Sequence, residues 1–270
     1  MNIIDPHLHL FNLKQGTYQW LQKNQPPFWP DKTIIHKSFS EQELNLAPLH
    51  TLAGFVHIEA GFDNQAPWRE IAWLESYCRI PFKSIAAIDI TLSPSKFVKL
   101  CTKLSQYKSV VGFRHILDQQ PNDILSLPQV KNNLAYLAQT KNIFELQMPL
   151  QQLDAVKSLI NILQKIPELS LVINHAGWPP PLTKEQANIP WKNWQTGLQA
   201  LANLQQCRIK CSGWEMLNRG INIIWQQKVI SECLALFGLN RVMLASNFPV
   251  SLLSHSYQET WQTNIGIKMG

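Results

Sequence analysis

The chain has 270 residues, of which 45% are hydrophobic and 16% charged; this balance predicts one compact domain with a large core and excludes a disordered chain. Its formal net charge is +6, but Lys and Arg are spread singly, without the basic runs and interleaved aromatic residues of nucleic-acid-binding proteins. The positive charge therefore indicates a preference for anionic small molecules at most, and no nucleic-acid partner is expected.

The N-terminus and the cysteines bear on where the protein resides. The chain leads directly into an apolar run without a basic signal region, and no uninterrupted apolar stretch reaches membrane-spanning length. The five cysteines are scattered, as is typical of reduced, buried thiols, and the C-x3-C spacing of Cys207 and Cys211 is a weak zinc signal. We expect a cytoplasmic protein with a small-molecule substrate and no membrane partner, either monomeric or homo-oligomeric.

The first apolar run, IIDPHLHL at 3–10, ends in two histidines one residue apart. In a strand, residues i and i+2 point to the same face, so His7 and His9 should project side by side. Such a pair can share a metal ion or a substrate, although a catalytic zinc site takes about three protein ligands. The alternative is a pair of solvated or core histidines.

Seven further apolar runs follow the first. Near-continuous hydrophobicity of this kind is typical of strands that are covered on both faces. The eight predicted strands are 3–10, 53–60, 84–90, 110–116, 143–148, 169–176, 207–212 and 241–248. Segments with helical spacing lie between most of them, at 68–78, 95–107, 130–140, 150–166, 196–204 and 221–237.

This alternation predicts an α/β fold, a single (β/α)8 TIM barrel over residues 1–270, with a doubly wound sheet as the alternative. The connection from Phe11 to His50 is long and rich in Pro and Trp. It is predicted to fold over the mouth of the barrel as a loop, where Trp20 and Trp29 can line a pocket.

Polar residues inside these runs fall at the C-terminal ends. Catalytic groups of a barrel come from those ends, so eight polar tips together predict an active-site ring, whereas any one alone is explained as a capping or loop residue. The tips are His7 and His9, His57 and Glu59, Asp89, Arg114 and His115, Glu145 and Gln147, Asn174 and His175, Lys210 and Ser212, and Ser246 and Asn247.

Five motifs, DPHLH, VVGFRH, LVINHAGWP, IKCSG and RVMLASNFPV, occur in an order that resembles the amidohydrolase-related TIM-barrel hydrolases. The similar branch is that of predicted metal-dependent hydrolases, which contains sugar-acid lactonases and 2-pyrone-4,6-dicarboxylate lactonase. The resemblance implies water attack on a lactone or related carbonyl. It also implies that His7, His9 and His175 surround one divalent metal, preferably zinc, or the substrate directly without a metal, and that Arg114 holds a substrate carboxylate or hydroxyl.

Two features depart from the family pattern. The strand-8 acid is replaced by Asn247, which cannot take a proton from water and is a poor metal ligand. The sequence also stops at Gly270, short of the usual C-terminal segment, which leaves the covering of strand 8 open. Because strand 4 offers Arg114 and His115 in place of a carbamylated lysine, at most one metal is expected.

Glu59, on the strand beside the histidine pair, is the candidate replacement base, with orientation of a histidine as its alternative role. Asn247 is expected to point into the site and orient a water or a substrate oxygen. The predicted catalytic residues are thus His7, His9, Glu59, His175 and Asn247, and the predicted substrate-binding residues are Arg114, His115, Lys210 and Trp20.

The sequence is compatible with three functions. The first is hydrolysis of a small anionic or sugar-derived lactone, with Arg114 and Lys210 binding negative charge. The second is a metal-dependent non-oxidative decarboxylation of the kind found elsewhere in the superfamily. The third is a lapsed barrel that binds a ligand without chemistry, an interpretation that Asn247 favours.

Overall fold

The computed structural model of the chain describes residues 1–181, 188–220 and 222–267. Each strand of its sheet pairs in parallel with the next strand along the chain. The strands are Asn2–Leu8 (β1), Thr51–Ile58 (β2), Phe82–Ala87 (β3), Val110–Ile116 (β4), Ile143–Gln147 (β5), Leu171–Ile173 (β6), Cys207–Cys211 (β7) and Val242–Leu244 (β8).

The two ends of the sheet meet beyond the last residues of β1 and β8. The Asn247 backbone N–H donates to the His7 carbonyl at 2.9 Å, and the His9 N–H donates to the Phe248 carbonyl at 2.6 Å. These bonds bring the strands into a nearly closed ring, so the predicted (β/α)8 barrel is confirmed and the doubly wound alternative is wrong.

Helices separate the strands. Three of them begin with proline at the first position, where the missing N–H would have no intrahelical partner. The described helices are Trp68–Tyr77 (α1), Pro94–Leu104 (α2), Pro121–Ser126 (α3), Pro128–Gln139 (α4), Leu153–Leu163 (α5), Asn188–Ala202 (α6), Trp214–Leu217 (α7), Ile223–Phe237 (α8) and Tyr257–Gly266 (α9).

Six of these helices correspond to predicted segments, with α6 beginning before the predicted 196–204. The segment predicted at 221–237 begins at Ile223 in the structure, and its first residue lies outside the described residues. The short α3 and α7 went unpredicted because four to six residues are too few to show a 3.6-residue period.

The core consists of apolar side chains on both faces of the strands, which are buried against the helices on one side and within the barrel on the other. Phe55, Phe113 and Phe144 are among its fully buried members, and all five cysteines are buried and unpaired by disulfides. No helix within the described ranges is long and apolar enough to cross a lipid bilayer.

The last helix, α9, covers the end of the barrel at β8. Ser256 begins it with a reciprocal capping box to Glu259, in which each side chain bonds the backbone N–H of the other residue. Tyr257 and Trp261 on α9 are buried, and the Tyr257 ring lies 5.5 Å from that of Phe248 in edge-to-face contact. The covering of strand 8, left open by the sequence, is therefore supplied by residues 257–266.

The long connection between β1 and β2 folds over the mouth of the barrel, as predicted. The buried Lys32 ammonium donates to the carbonyls of Trp20, Gln22 and Gln25 at 2.8, 3.2 and 2.7 Å. The indole of Trp20 in turn donates to the Ala60 carbonyl at 2.7 Å, just beyond β2. These bonds hold the β1–β2 connection in place at the mouth of the barrel.

Candidate active site

A cavity of about 640 Å³ opens at the C-terminal ends of the strands, beneath the β1–β2 connection. Six predicted site residues line it, whereas His7, His115 and Lys210 do not. Its wall is made by His9, Gln19, Trp20, Gln25, Pro26, Pro27, Trp29, Glu59, Ala60, Gly61, Asn64, Arg114, Ile116, Asp118, Gln119, Gln147, His175, Trp178, Met216, Asn247 and Val250.

The imidazoles of His9 and His175 on the cavity wall lie beside that of His7, which is buried outside the wall. The ring centroid of His7 is 5.1 Å from that of His9 and 4.8 Å from that of His175. Burial, together with the positive groups nearby, lowers the pKa of all three, to about 3 for His9. The cluster is therefore neutral at physiological pH. His9 Nδ1 donates to the Ile58 carbonyl at 2.8 Å, which leaves the lone pair on Nε2.

His175 is presented by an unusual turn after β6. Four consecutive residues, His175, Ala176, Gly177 and Trp178, have positive φ angles of 52°, 50°, 67° and 57°. Such backbone is costly for residues other than glycine and persists only where the surroundings hold it. Here the buried Trp194 indole donates to the Ala176 carbonyl at 2.8 Å. The turn places both His175 and Trp178 on the cavity wall.

The imidazole of His175 also rests against the end of β7. Its Nδ1 is 3.1 Å from the Ser212 hydroxyl, and a Cβ added to Gly213 would lie 2.4 Å from the same nitrogen. Gly213 has a φ of 76°. Residue 213 must therefore be glycine both for its backbone angle and for the space that the histidine occupies.

Glu59 and Arg114 form a buried ion pair in the cavity wall. Arg114 Nε donates to Glu59 Oε1 at 2.8 Å, and Arg114 Nη2 lies 2.7 Å from the same oxygen and donates to the Glu59 carbonyl at 2.8 Å. Burial acts to raise the pKa of Glu59, but the charge and hydrogen bond of Arg114 outweigh it and hold that pKa below its usual value. Glu59 is thus a stable anion committed to Arg114, which makes it a weak candidate for the general base.

His57, which shares the tip of β2, has a partner away from the cavity. Its Nε2 is 3.1 Å from Glu70 Oε1, and its Nδ1 accepts the Leu10 N–H at 3.3 Å. Burial lowers the pKa of His57 to about 3 and raises that of Glu70 well above its usual value. The two are a buried hydrogen-bonded pair that ties α1 to the residues after β1.

Lys210 and His115 lie outside the cavity. The buried Lys210 ammonium is paired with Glu145, whose other oxygen accepts the Asn174 side-chain N–H at 2.7 Å. His115 Nδ1 lies 3.1 Å from the Ile88 carbonyl. Their predicted contact with substrate gains no support from this geometry, because the Lys210 charge is already neutralised and neither side chain reaches the cavity wall.

Asn247 lies on the wall in a left-handed conformation, with a φ of 57°. Its side-chain Nδ2 donates to Glu215 Oε1 at 2.5 Å. Glu215 is buried, and that burial raises its pKa to about 7. Strand periodicity did not reveal Glu215, because it lies beyond the end of β7, in GWEM, where that periodicity no longer applies; the available signal was an acid two residues after the IKCSG motif.

A second carboxylate, Asp118, was also missed, for the same reason: it follows β4 instead of ending it. Its Oδ1 accepts the Trp178 indole N–H at 2.9 Å, and its Oδ2 accepts the Gln147 side-chain N–H at 2.6 Å. Burial raises the pKa of Asp118. Asp118, Gln147 and Trp178 form a polar and aromatic corner of the cavity, and the positive charge of Arg114 acts to lower the pKa of Asp118.

The donors present suit zinc in type but not in arrangement. Neutral imidazoles are good zinc ligands, and both ring nitrogens of His7 are buried without a hydrogen-bond partner. Within the described ranges, however, no group of three or more His, Cys, Asp or Glu side chains is placed to hold a metal ion.

Comparison with known proteins gives matches along nearly the whole chain. An uncharacterized protein of Sinorhizobium fredii, y4mH, is 26% identical over 99% of this chain and 92% of its own length. The L-fucono-1,5-lactonase of Burkholderia multivorans is 24% identical over 95% of this chain and 85% of its own length.

Solved structures share the fold at lower identity. A Burkholderia multivorans amidohydrolase with bound zinc has a TM-score of 0.78 at 19% identity, covering 98% of this chain and 90% of that one. A putative 2-pyrone-4,6-dicarboxylic acid hydrolase of Pseudomonas putida has a TM-score of 0.69 at 17% identity, covering 98% and 89%.

The sequence profile of the amidohydrolase family matches residues 4–266. This match spans every strand of the barrel and all five motifs on which the resemblance was based. The predicted relationship is confirmed: the chain is a member of the amidohydrolase family, a hydrolase built on a TIM barrel.

Proposed function

We propose that this chain is a lactonase that adds water to the carbonyl of a small, uncharged, polyhydroxylated lactone of the sugar-acid type. The observation that carries the proposal is the charge of the cavity. Among its described lining residues Arg114 alone is a cation, and Glu59 already neutralises it. Asp118 adds a second carboxylate. A dicarboxylate would meet no unpaired positive group there, so the anionic alternative is disfavoured.

The rest of the wall supports a sugar-like ring. Trp20, Trp29 and Trp178 provide aromatic faces, on which the C–H groups of a sugar ring pack, and Trp20 and Trp29 lie 6.5 Å apart between ring centroids. Amide and carboxylate groups, including Gln147 and Asp118, provide hydrogen-bonding partners for hydroxyls. The L-fucono-1,5-lactonase relative acts, by its name, on a substrate of this class.

In the proposed reaction, water attacks the lactone carbonyl carbon and the ring C–O bond breaks, so that the ring oxygen leaves as a hydroxyl and the product is a hydroxy acid. The Nε2 lone pair of neutral His9 and the side chain of Asn247 hold the water, since both residues line the cavity and their backbones are bonded at the junction of β1 and β8, His9 to Phe248 and Asn247 to His7. Arg114 uses Nε and Nη2 on Glu59 and offers Nη1 to the oxygen that becomes negative in the transition state.

With a metal bound, the Nε2 lone pair of His9 would be a ligand instead of a water acceptor. We propose His7, His9 and His175 as the residues that would hold one divalent ion, on the basis of the two unpartnered nitrogens of His7. Such an ion polarises a carbonyl. Metal analysis of protein purified without chelator checks this directly: near-stoichiometric zinc that His7→Ala removes supports it, and full activity of metal-free protein contradicts it.

The first prediction is that purified protein turns over neutral aldonolactones and leaves a pyrone dicarboxylate untouched, measured by proton release because each ring opening yields one acid. Arg114→Gln should lower kcat by about 10²-fold or more, the loss typical of a removed oxyanion donor. Arg69→Gln is the matched control, since Arg69 pairs with Asp63 on the surface.

Two results would overturn the proposal. Preference for the dicarboxylate would show that the cavity binds a negatively charged substrate. Release of CO2 from a hydroxybenzoate, without turnover of any lactone, would favour the decarboxylase alternative; a 2,6-dihydroxybenzoate decarboxylase from Rhizobium shares the fold with a TM-score of 0.60 at 13% identity, covering 97% of this chain and 91% of that one.

A further inference from the structure

We infer that Glu215 is a positioning residue that acts through Asn247: its carboxylate fixes the amide so that the Oδ1 acceptor faces the cavity and holds the attacking water. The inference rests on the proposed lactone hydrolysis and assigns the function of the missing strand-8 acid to a pair of residues instead of one. Asn247 lines the cavity, and Glu215 lies behind it, outside the wall.

The hydrogen-bonding pattern determines which way the amide points. A carboxylate only accepts hydrogen bonds, so the atom of Asn247 that lies 2.5 Å from Glu215 Oε1 must be the N–H2 donor, Nδ2. The backbone of Asn247 is held separately, because its N–H donates to the His7 carbonyl at 2.9 Å. Rotation of the amide is therefore the freedom that remains, and Glu215 removes it.

The charged groups around Glu215 leave its carboxylate to Asn247. Arg219 donates to the backbone carbonyl of Glu215, and its guanidinium is bonded to both oxygens of Asp31, at 2.7 and 3.0 Å. On the side away from Asn247, Glu215 borders a small cavity of about 20 Å³ that Gln226 and the exposed His255 also line. The charged or titratable groups around this carboxylate therefore include Arg219, Asp31 and His255.

Protonation of Glu215 would reverse the arrangement. A carboxyl that is protonated on Oε1 donates a hydrogen bond from the oxygen that faces Asn247, so the amide would turn its Oδ1 toward Glu215 and its Nδ2 toward the cavity, and the water would lose its acceptor. Burial raises the pKa of Glu215 to about 7, whereas that of His9 is about 3. We therefore expect kcat to fall as the pH drops through neutrality, with Glu215 as the cause.

The test follows the side-chain N–H2 signals of Asn247 by NMR on the whole protein, assigned by their loss in Asn247→Asp. In the wild type these signals should shift with a midpoint near pH 7, and in Glu215→Gln they should not shift. Glu70→Gln is the control, because Glu70 is also buried with a raised pKa but contacts His57 and Ala60 instead of Asn247. It should leave the titration unchanged.

Kinetics provide the second measurement. Glu215→Gln should lower kcat by about 10²-fold, as expected for a mispositioned group, with little change in KM and without the pH dependence near neutrality. The exchange variant, which combines Glu215→Gln with Asn247→Asp, swaps the amide and the carboxylate, so that a donor again faces an acceptor. It should recover part of the lost kcat. This variant also serves if the single substitution fails to fold.

Failure of this inference and failure of the proposed function give different experimental results. Signals of Asn247 that ignore pH, or that titrate equally in Glu215→Gln, would overturn the inference even if lactones are hydrolysed. An exchange variant as inactive as the single variant would also overturn it. The Asn247 signals could also titrate in dependence on Glu215 in a protein that hydrolyses no lactone. That result would contradict the proposed function but support the inferred orientation of Asn247.

Discussion

His175 shows how one side chain depends on backbone that is costly to form. It begins a run of four residues with positive φ, three of them not glycine. Each such residue costs on the order of 1–3 kcal/mol, which the surrounding contacts must offset. Because Gly213 is packed against His175 Nδ1, the position of the imidazole is sensitive to a single methyl group on the neighbouring strand end.

Gly213→Ala should displace His175 and lower lactone turnover by about 10²-fold, since an added Cβ would lie 2.4 Å from the imidazole nitrogen. Gly238→Ala is the control for a glycine with positive φ and no clash: its φ of 73° is close to the 76° of Gly213, although its ψ of 163° differs from the 18° of Gly213, and nothing lies within 4 Å of its added Cβ. Gly213→Ala should lose about 1 kcal/mol of stability from its left-handed backbone, and Gly238→Ala should lose more, about 1–3 kcal/mol, because its φ and ψ lie in a region that residues other than glycine rarely adopt.

The comparison of unfolding curves and kinetics for these two variants separates backbone strain from the clash. Equal activity of Gly213→Ala and Gly238→Ala would show that His175 is not required where the structure has it.

At the scale of elements, the connection between β1 and β2 makes part of the active site although it contains no helix longer than three residues. It has little regular structure to hold it, so side chains must do so. Lys32 is the main one, because its ammonium donates to three carbonyls of this connection. An ammonium satisfied by carbonyls is a strong, charge-assisted interaction.

Lys32→Met keeps the length of the side chain and removes these bonds. We expect KM for the lactone to rise about tenfold or more and the connection to be cleaved faster by protease, because the wall with Trp20 and Trp29 loosens, while the barrel stays folded. Lys23→Met is the control, since Lys23 is exposed in the same connection. Unchanged KM in Lys32→Met would mean that this wall does not contact substrate.

At the scale of the whole molecule, α9 completes the barrel next to the active site. Trp261 and Tyr257 of α9 are buried beside the junction of β8 and β1, and Asn264 donates to the Ala245 carbonyl at 3.4 Å. The same junction holds Asn247 against the His7 carbonyl. The stability of the fold and the geometry of the site therefore both depend on the junction of β8 and β1.

Trp261→Ala should lower the free energy of unfolding by about 3–5 kcal/mol, the cost typical of truncating a buried tryptophan. Urea unfolding measures it, with Gln258→Ala on the exposed face of α9 expected to change stability by no more than about 0.5 kcal/mol. A small effect of Trp261→Ala would show that β8 is held without this helix.

The sequence by itself determined the architecture. Near-continuous apolar runs revealed eight strands, and β4 begins and ends at the residues predicted, 110 and 116. The i, i+2 spacing of His7 and His9 placed the two rings side by side, as their 5.1 Å separation shows. Both results depend on local periodicity, which a sequence displays directly.

Only the tertiary structure decided how the polar groups are paired. Arg114 and Glu59 are 55 residues apart in sequence, and Lys210 and Glu145 are 65 apart. Glu215 meets Asn247 across 32 residues. Strand register and the turns after each strand set these contacts, and neither has a period that the sequence displays. Which charges remain for a substrate is therefore a property of the closed barrel, because burial and pairing arise only when the strand ends meet.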